Sequence, residues 1–517
     1  MMPATTVLVI EPGSSGVGLV DAARRLGLRP HVFDRRERAE LPPPVQAALA
    51  EGGADFTRLE IRDHDVVLSA AASLHSAAEL VAVVPGYEYA VETCALVADK
   101  LGLPGIDPVA ARALRDKRLM KRALIEAGVP VAPGAALGSG DDAATVLASV
   151  GTPAVAKPVD GSGSQLVRRI DTLAELREHV AAVLDRSHVD LGQVIAEEML
   201  IERYVAGPEY SVEGYLRQTP QGPQPQVSAV TSKQLGPEPS FVEIGHLVDA
   251  PLTEAERALL VATAERAVRA LGITVGAFHL EARLTPAGPV VMEVGARLGG
   301  DRIPWLVRHA WGFDLWEAAV RSHAGLPQAA PDPTSTPVRC AAIRYFTTER
   351  SAVLLEPRSL TERLRGVKGC TEVEVAAAPE TRLGPACDFR GRFGHTLLVA
   401  DSHPELSERL EQVDELVRSA LRLDQADEKG TQVDIPDLQV RVREIIAQMS
   451  PSGATVAASS DRLVEDLGYD SLTLLDLAIA LEDELVPAAI DEEAGADLLT
   501  VGDVEELMVR MAPPATR

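Results

Sequence analysis

Aromatic residues are scarce in this chain, 3% of 517 residues, while alanine, arginine, glycine and proline are abundant. That bias is the mark of a high-GC coding sequence and carries no functional information. Bases are also in deficit, 50 Lys and Arg against 76 Asp and Glu. The net charge of −26 argues against a general nucleic-acid binder. Cysteine is rare: Cys94, Cys340, Cys370 and Cys387 form no CxxC pair and no Cys/His cluster. A zinc site is therefore not expected, and free thiols fit a reducing cytoplasm. The N-terminus lacks a charged segment followed by a long apolar run. The most apolar long stretch, Val66–Val84, is broken by His75, Ser76 and Glu79, so neither a signal peptide nor a membrane span is expected. The glycine-rich stretches match neither GxGxxG nor the GKS/GKT ending of a Walker A loop.

What is present centres on Phe278–Gly300. Phe278–Leu284 alternates apolar and polar residues, Thr285-Pro286-Ala287-Gly288 is turn chemistry, and Val290–Val294 resumes a strand. Alternation places Glu281 and Glu293 on one face of this hairpin. Two carboxylates so placed need a cation between them, and oxygen-only ligands suit magnesium. An ordinary surface hairpin with acids facing water fits these residues equally well. Arg297 and Gly299-Gly300 follow.

At 517 residues, two or more domains are expected. Thr6–Ile10, the Gly13–Gly18 turn, a helix to about Leu26 and Pro30–Phe33 describe an α/β unit with a parallel sheet. Gly86-Tyr87-Glu88 precedes a helix over Ala90–Leu101; Glu88 is either a substrate contact or a helix N-terminal acid favoured by the dipole. Asp116-Lys117 opens a helix, Lys117–Ala127, on which Lys117 and Lys121 read as a solvated face. Pro153–Pro158 is a strand with Lys157 embedded, and Asp160-Gly161-Ser162-Gly163-Ser164 follows at once. A strand lysine needs an anionic partner, and a Gly/Ser loop offers backbone N–H groups to phosphate. Beyond the Gln193–Glu198 strand come Glu202-Arg203-Tyr204-Val205 and Glu209, then the strands Tyr210–Tyr215 and Ser228–Lys233. Glu243 and His246 lie close together, within reach of Lys233. Thr253–Leu271 is an amphipathic helix capped by Thr253 and Gly272. His279 reads as a satisfied core histidine. Cys340–Thr347 and His395–Val399 are strands, and Glu405–Leu423 is a helix. Arg390 and Arg392 either line an anionic site or are solvated.

These motifs, in this order, resemble those of ATP-grasp ligases, close to the carboxylate–amine ligases that join amino acids. The resemblance runs from residue 5 to about 420. It implies an α/β fold with a Rossmann-like lobe ahead of the ATP-grasp lobe. It further implies Glu281 and Glu293 as magnesium ligands, Arg297 on the transferred phosphate, and Lys117 and Lys157 on nucleotide phosphates. Gly161, Ser162, Gly163 and Ser164 become a mobile lid. Backbone at Tyr204 and Val205 meets adenine, Glu202 accepts from its amine, and Glu209 takes the ribose hydroxyls. Glu243 and His246 stand over the reacting carboxylate. One departure is Gly295, where the family has an Asn ligand, so the second magnesium is expected to bind more weakly or keep an extra water.

From Asp437 onward the chain carries 17 acids, five bases and no lysine. Helical periodicity over Val440–Met449, Ser471–Leu485 and Val501–Met511 gives a small all-α bundle. Leu467-Gly468-Tyr469-Asp470-Ser471-Leu472 puts a serine hydroxyl at a helix N-terminus, where it is either a cap or a place for phosphate. The segment resembles an acyl or peptidyl carrier protein, a four-helix bundle whose serine, here Ser471, carries 4′-phosphopantetheine. The expected domains are 1–112, a lobe preceding the ATP-grasp domain; 113–423, the ligase; 424–436, an acidic linker; and 437–513, the carrier. Expected cofactors are ATP, Mg2+ and phosphopantetheine. Expected partners are a small carboxylic or amino acid, a phosphopantetheinyl transferase, downstream enzymes docking on the carrier, and a second copy in a dimer. No nucleic acid or membrane partner is expected, and the location is cytoplasmic. The activity implied is ATP-dependent activation of a carboxylate and transfer to the pantetheine thiol, with amide formation or a non-catalytic scaffold as alternatives.

Overall fold

The structure is a computed structural model; it describes residues 5–184, 189–190, 193–194, 198–328, 337–423, 435–452, 456–469, 473–474, 477, 481 and 499–511. The chain divides into two compact units, Met1–Leu423 and Asp424–Arg517.

The first unit opens on a four-stranded sheet. The fully buried strand Thr6–Ile10 pairs in parallel with Arg29–Asp34 on one side and Leu80–Pro85 on the other, and Asp55–Arg58 extends the sheet. Helices join successive strands, as parallel pairing requires. A second four-stranded sheet carries Lys157. Its strands run in the order Gly134–Gly138, Glu198–Arg203, Ala154–Pro158, Arg168–Ile170, all antiparallel. The third sheet has eight strands and is antiparallel throughout. Its order begins with the hairpin Gly288–Gly295 and Ala277–Thr285 and continues through Glu209–Thr219, Gly222–Leu235, Glu243–Val248, Cys340–Phe346, Gly394–Ala400 and Cys370–Val375.

The hairpin forms where alternation placed it. Glu281 is paired with Glu293 across the strands, and a bulge follows Glu281. The turn is closed by Thr285 Oγ1 donating to the Gly288 carbonyl at 2.8 Å, and Gly288 takes φ 112°, a value that strains any side chain. The helix Glu254–Ala270 has Thr253 at its N-cap as expected, and Glu256 completes a capping box with it. Its buried face, Leu260, Ala264, Ala267 and Val268, packs on the core that also holds Leu280 and Val294. One face of the hairpin is thus held by apolar packing, and the other carries its acids. The expected helix over Glu405–Leu423 ends early, at Ser419; Leu421–Leu423 turns into a strand beside Ala352–Leu354.

In the second unit, helices Ile435–Met449 and Val501–Met511 enclose Val442, Ile446, Leu463, Leu467, Val504 and Met508. Tyr469 is buried, and its hydroxyl donates to the Ile446 carbonyl at 2.7 Å. Ser471, the site expected to carry the pantetheine arm, and most of the Ser471–Leu485 helix lie outside the described residues. Among the described residues, no helix is long and apolar enough to cross a membrane.

Candidate functional site

A cavity of about 410 Å³ opens in the first unit, lined by residues from all three sheets. Lys117, Lys157, Gly161, Ser162, Gly163, Ser164, Glu202, Val205, Glu209, Glu243, His246, Glu281, Glu293 and Arg297 all line it. Tyr204 does not.

The lysines of the cavity arrive by short tethers. Asp116 caps the helix Lys117–Glu126, accepting from Arg118 N at 2.9 Å and Leu119 N at 3.3 Å. The Lys117 amide then donates to the Val159 carbonyl, just before the Gly/Ser loop. Its ammonium reaches the Gly161 carbonyl at 2.7 Å and Glu293 at 3.1 Å. Lys121 falls one turn later and is also buried. Neither lysine lies on a solvated face, the plainer of the two readings of this helix, because the helix turns them toward carboxylates and carbonyls. Lys121 donates to the Ala132 carbonyl and pairs with Glu202; Lys157 pairs with the other Glu202 oxygen at 2.7 Å. Burial outweighs the acids around Lys157 and brings its pKa down to about 8; burial likewise lowers Lys121.

The expected hinge groups have partners within the protein. Glu202 pairs with Lys121 and Lys157. Tyr204 N already donates to the Pro153 carbonyl, and the Val205 carbonyl accepts from Arg283 at 2.7 Å. The Tyr204 hydroxyl points to Glu238.

At the hairpin, both carboxylates have cationic neighbours. Lys233, 8% exposed, stands 2.8 Å from Glu281, 2.9 Å from Glu209 and 3.0 Å from Glu243. Burial opposes its charge, but the three carboxylates raise its pKa well above the ordinary lysine value. His279 donates from one ring nitrogen toward Glu213 at 3.0 Å and from the other to Glu281 at 3.1 Å. Burial lowers its pKa, and Glu213 and Glu281 more than restore it, to about 10. His279 is thus a charged member of the site, where the sequence suggested a bland core residue. Glu281 is held well below the carboxylate range by Lys233 and His279 against the effect of burial.

Glu88 resolves as neither a free substrate contact nor a helix-terminal acid. It is buried between Arg115, at 2.7 Å, and Arg297. Burial pushes its pKa up and the two arginines bring it down to about 2. It also bears on the departure at Gly295: a Cβ there would lie 3.3 Å from Glu88 Oε2. The space left by the missing side chain is bordered by a carboxylate from the first lobe.

Of the two undecided arginines, Arg390 pairs locally with Asp388, whereas Arg392 is buried against Asp301 and Glu243. Asp301, which sequence reading missed, lies 2.8 Å from His246 Nε2. The signal available for it was a charged Asp-Arg directly after a diglycine and before a helix.

Residues 150–304 match the sequence profile of the ATP-grasp domain. The chain is 28% identical over 365 residues to carnosine synthase 1 of Gallus gallus, covering 67% of this chain and 38% of that protein, and so spans well under half of that relative's length. It is 23% identical over 423 residues to dapdiamide A synthase of Enterobacter agglomerans, covering 79% and 94% of the two. Among solved structures it resembles the L-amino acid ligase from Bacillus licheniformis, with TM-score 0.65 and 23% identity over 82% of this chain and 99% of that one. Residues 150–304 are thus similar to the ATP-grasp domain, and the first unit shares the fold of that solved ligase.

Proposed function

We propose that this chain uses ATP to phosphorylate the carboxylate of a small acid, an amino acid first among them, and passes the acyl group to the phosphopantetheine thiol on Ser471. The observation that carries the ATP-dependent half is the convergence of Lys117, Lys157 and Arg297 with the paired acids Glu281 and Glu293 around one cavity. Phosphoryl transfer needs positioning and charge neutralisation above all. The donor set at the hairpin fits magnesium, being carboxylate oxygen from facing strands with further acids nearby. When bound, magnesium supplies neutralisation of the triphosphate.

Lys117 and Lys157 hold the phosphates, with the Gly161–Ser164 backbone over them. Arg297 meets the transferred phosphoryl group. Glu243 and His246 face the acyl carbon, and Glu209 takes the ribose. The acyl phosphate is then attacked by a nucleophile and phosphate leaves. The sequence around Ser471 favours a tethered thiol, whose effective concentration near the cleft is raised by the tether. A second reading, attack by an amine to give an amide, is favoured by relatives named as an L-amino acid ligase and as an alanine–anticapsin ligase.

Ser471→Ala separates the two. Thiol loading requires that the variant hold no stable acyl product while still forming acyl phosphate, which added hydroxylamine traps as a hydroxamate. The pantetheinylated wild type should gain acyl mass that thiols or mild base release. Free amide from the wild type, with no thiol-labile adduct at any time, overturns loading in favour of the second reading.

A further inference from the structure

His246 lies on the strand Glu243–Val248 and is 2% exposed. Its Nε2 is 2.8 Å from Asp301 Oδ2, and its Nδ1 is buried with no hydrogen-bond partner among the described residues. Asp301 is tied down in turn. Arg392 donates to both of its oxygens, at 2.8 and 3.0 Å, and to Glu243 at 3.0 Å. The Arg392 guanidinium lies 4.0 Å over the Tyr345 ring. Backbone at Asp301 and Arg302 is left-handed, φ 51° and 63°. Side-chain-bearing residues hold that conformation only when their surroundings impose it. Strain is therefore stored where one carboxylate is set against one imidazole.

The chemistry of that contact has a direction. An ionised carboxylate accepts hydrogen bonds and cannot donate them, so it fixes the hydrogen of a neutral imidazole on the nitrogen facing it. Burial alone would raise the Asp301 pKa, but Arg392 and His246 hold it well below the carboxylate range, so it stays ionised. Other charged groups near the ring are engaged elsewhere. Lys233, paired with His246 across the strands, is shared by three acids. Glu243 is bonded to Lys233 and Arg392. Arg344, on the strand at the other side, pairs with Asp414 at 3.1 Å.

We propose that Asp301, clamped by Arg392, holds His246 in the tautomer with hydrogen on Nε2, and that His246 takes at Nδ1 the proton lost by the attacking nucleophile. Asp301 and Arg392 are positioning residues. The proposal rests on the acyl phosphate reading above. The nucleophile's S–H or N–H bond breaks and its proton passes to Nδ1. Its electron pair forms the new bond to the acyl carbon. The C–O bond to phosphate breaks, and phosphate leaves with that pair.

Histidine-selective 15N labelling of the full chain tests the tautomer without any substrate, with the His246 signal identified by its loss in His246→Gln. The expected result is a lone-pair shift at Nδ1 and a protonated Nε2 in the wild type. In Asp301→Asn, whose amide can donate as well as accept, Nδ1–H should appear. Nδ1–H in the wild type overturns the proposal, whatever the enzyme turns over. Kinetically, Asp301→Asn should slow transfer to the acceptor about 10²-fold and shift its pH profile. ADP release in the presence of hydroxylamine should fall less than transfer does. Arg392→Lys should keep more transfer than Arg392→Met. An equal fall in hydroxamate formation and in transfer, with an unshifted pH profile, assigns the cluster to structure alone and overturns the proposal. Absence of hydroxamate from the wild type would instead defeat the functional reading, and the tautomer measurement would still decide this one.

Discussion

Lys233→Met is the most demanding test of the site's electrostatics. In the structure one ammonium serves Glu209, Glu243 and Glu281 at 2.8–3.0 Å. Removing one partner of a buried ion pair leaves uncompensated charge and costs about 3–5 kcal/mol. Here the acids lie at the edge of a cavity and each has a second partner: Arg283 at 3.0 Å for Glu209, Arg392 for Glu243 and His279 at 3.1 Å for Glu281. The lower end, about 3 kcal/mol, is therefore expected. At roughly 2 °C per kcal/mol for a large domain, the unfolding midpoint should fall about 6 °C. Magnesium supplies the variant with a replacement cation at Glu281, so it should raise the variant's midpoint more than the wild type's. Differential scanning fluorimetry at fixed scan rate, with and without magnesium, reads both effects. Lys233→Arg, which keeps the charge, should recover most of the stability. A Met variant within a degree of wild type, with an unchanged response to magnesium, would refute the claim that this ammonium holds the three acids.

Glu293→Gln should leave the circular dichroism spectrum intact and cut ADP release by orders of magnitude, because the site loses one formal charge; near-normal turnover would remove Glu293 from the metal site. Gly295→Asn was expected from sequence to lower the magnesium needed for half-maximal activity, but the contact with Glu88 3.3 Å from the new Cβ now predicts no gain; a clear gain would show that Glu88 yields easily. His323 is buried, and burial lowers its pKa to about 4 from 6.5. The unfolded chain binds its proton first, so the stability it contributes is complete above pH 6.5 and is lost as pH falls toward 4, about 3 kcal/mol in all. His323→Leu should flatten denaturant midpoints across that range, and an undiminished acid loss would exclude His323 as its cause.

The parts of the site carried by one local pattern could be read directly from the sequence. Glu281 and Glu293 belong to a single hairpin, and a period of two with a turn between places them on neighbouring strands; their direct pairing comes from the bulge after Glu281, which no local pattern announces. Lys157 and Gly161–Ser164 are likewise contiguous. The missed residues depend on sheet order. His246 meets Lys233 through one antiparallel register, Asp301 reaches His246 from 55 positions downstream, and Arg392, 146 positions downstream, reaches Asp301. No periodicity encodes such separations. Lys121 misled for a different reason. A lysine one turn from another lysine has the pattern of a solvated face, and only the acid Glu202, from a distant strand, makes its burial tolerable.

The cations expected to meet phosphate are already engaged with protein groups. Lys117 holds the Gly161 carbonyl and Glu293; Lys157 holds Glu202. Arg297 holds Glu88 and the Leu298 carbonyl at 2.8 Å. On the proposed reading a triphosphate gains these cations by exchange, so its net stabilisation is a difference between two sets of charge-assisted bonds. One of the bonds given up is to a loop carbonyl, at Gly161. Phosphate that takes Lys117 therefore releases that point of the Gly/Ser loop in the same step, and loop position and nucleotide occupancy are coupled through one side chain. The carboxylates left behind, Glu293 first, are the ones that then need a metal ion. That links the order of binding to the geometry: nucleotide and divalent cation stabilise the same rearranged state, and each should bind more tightly when the other is present.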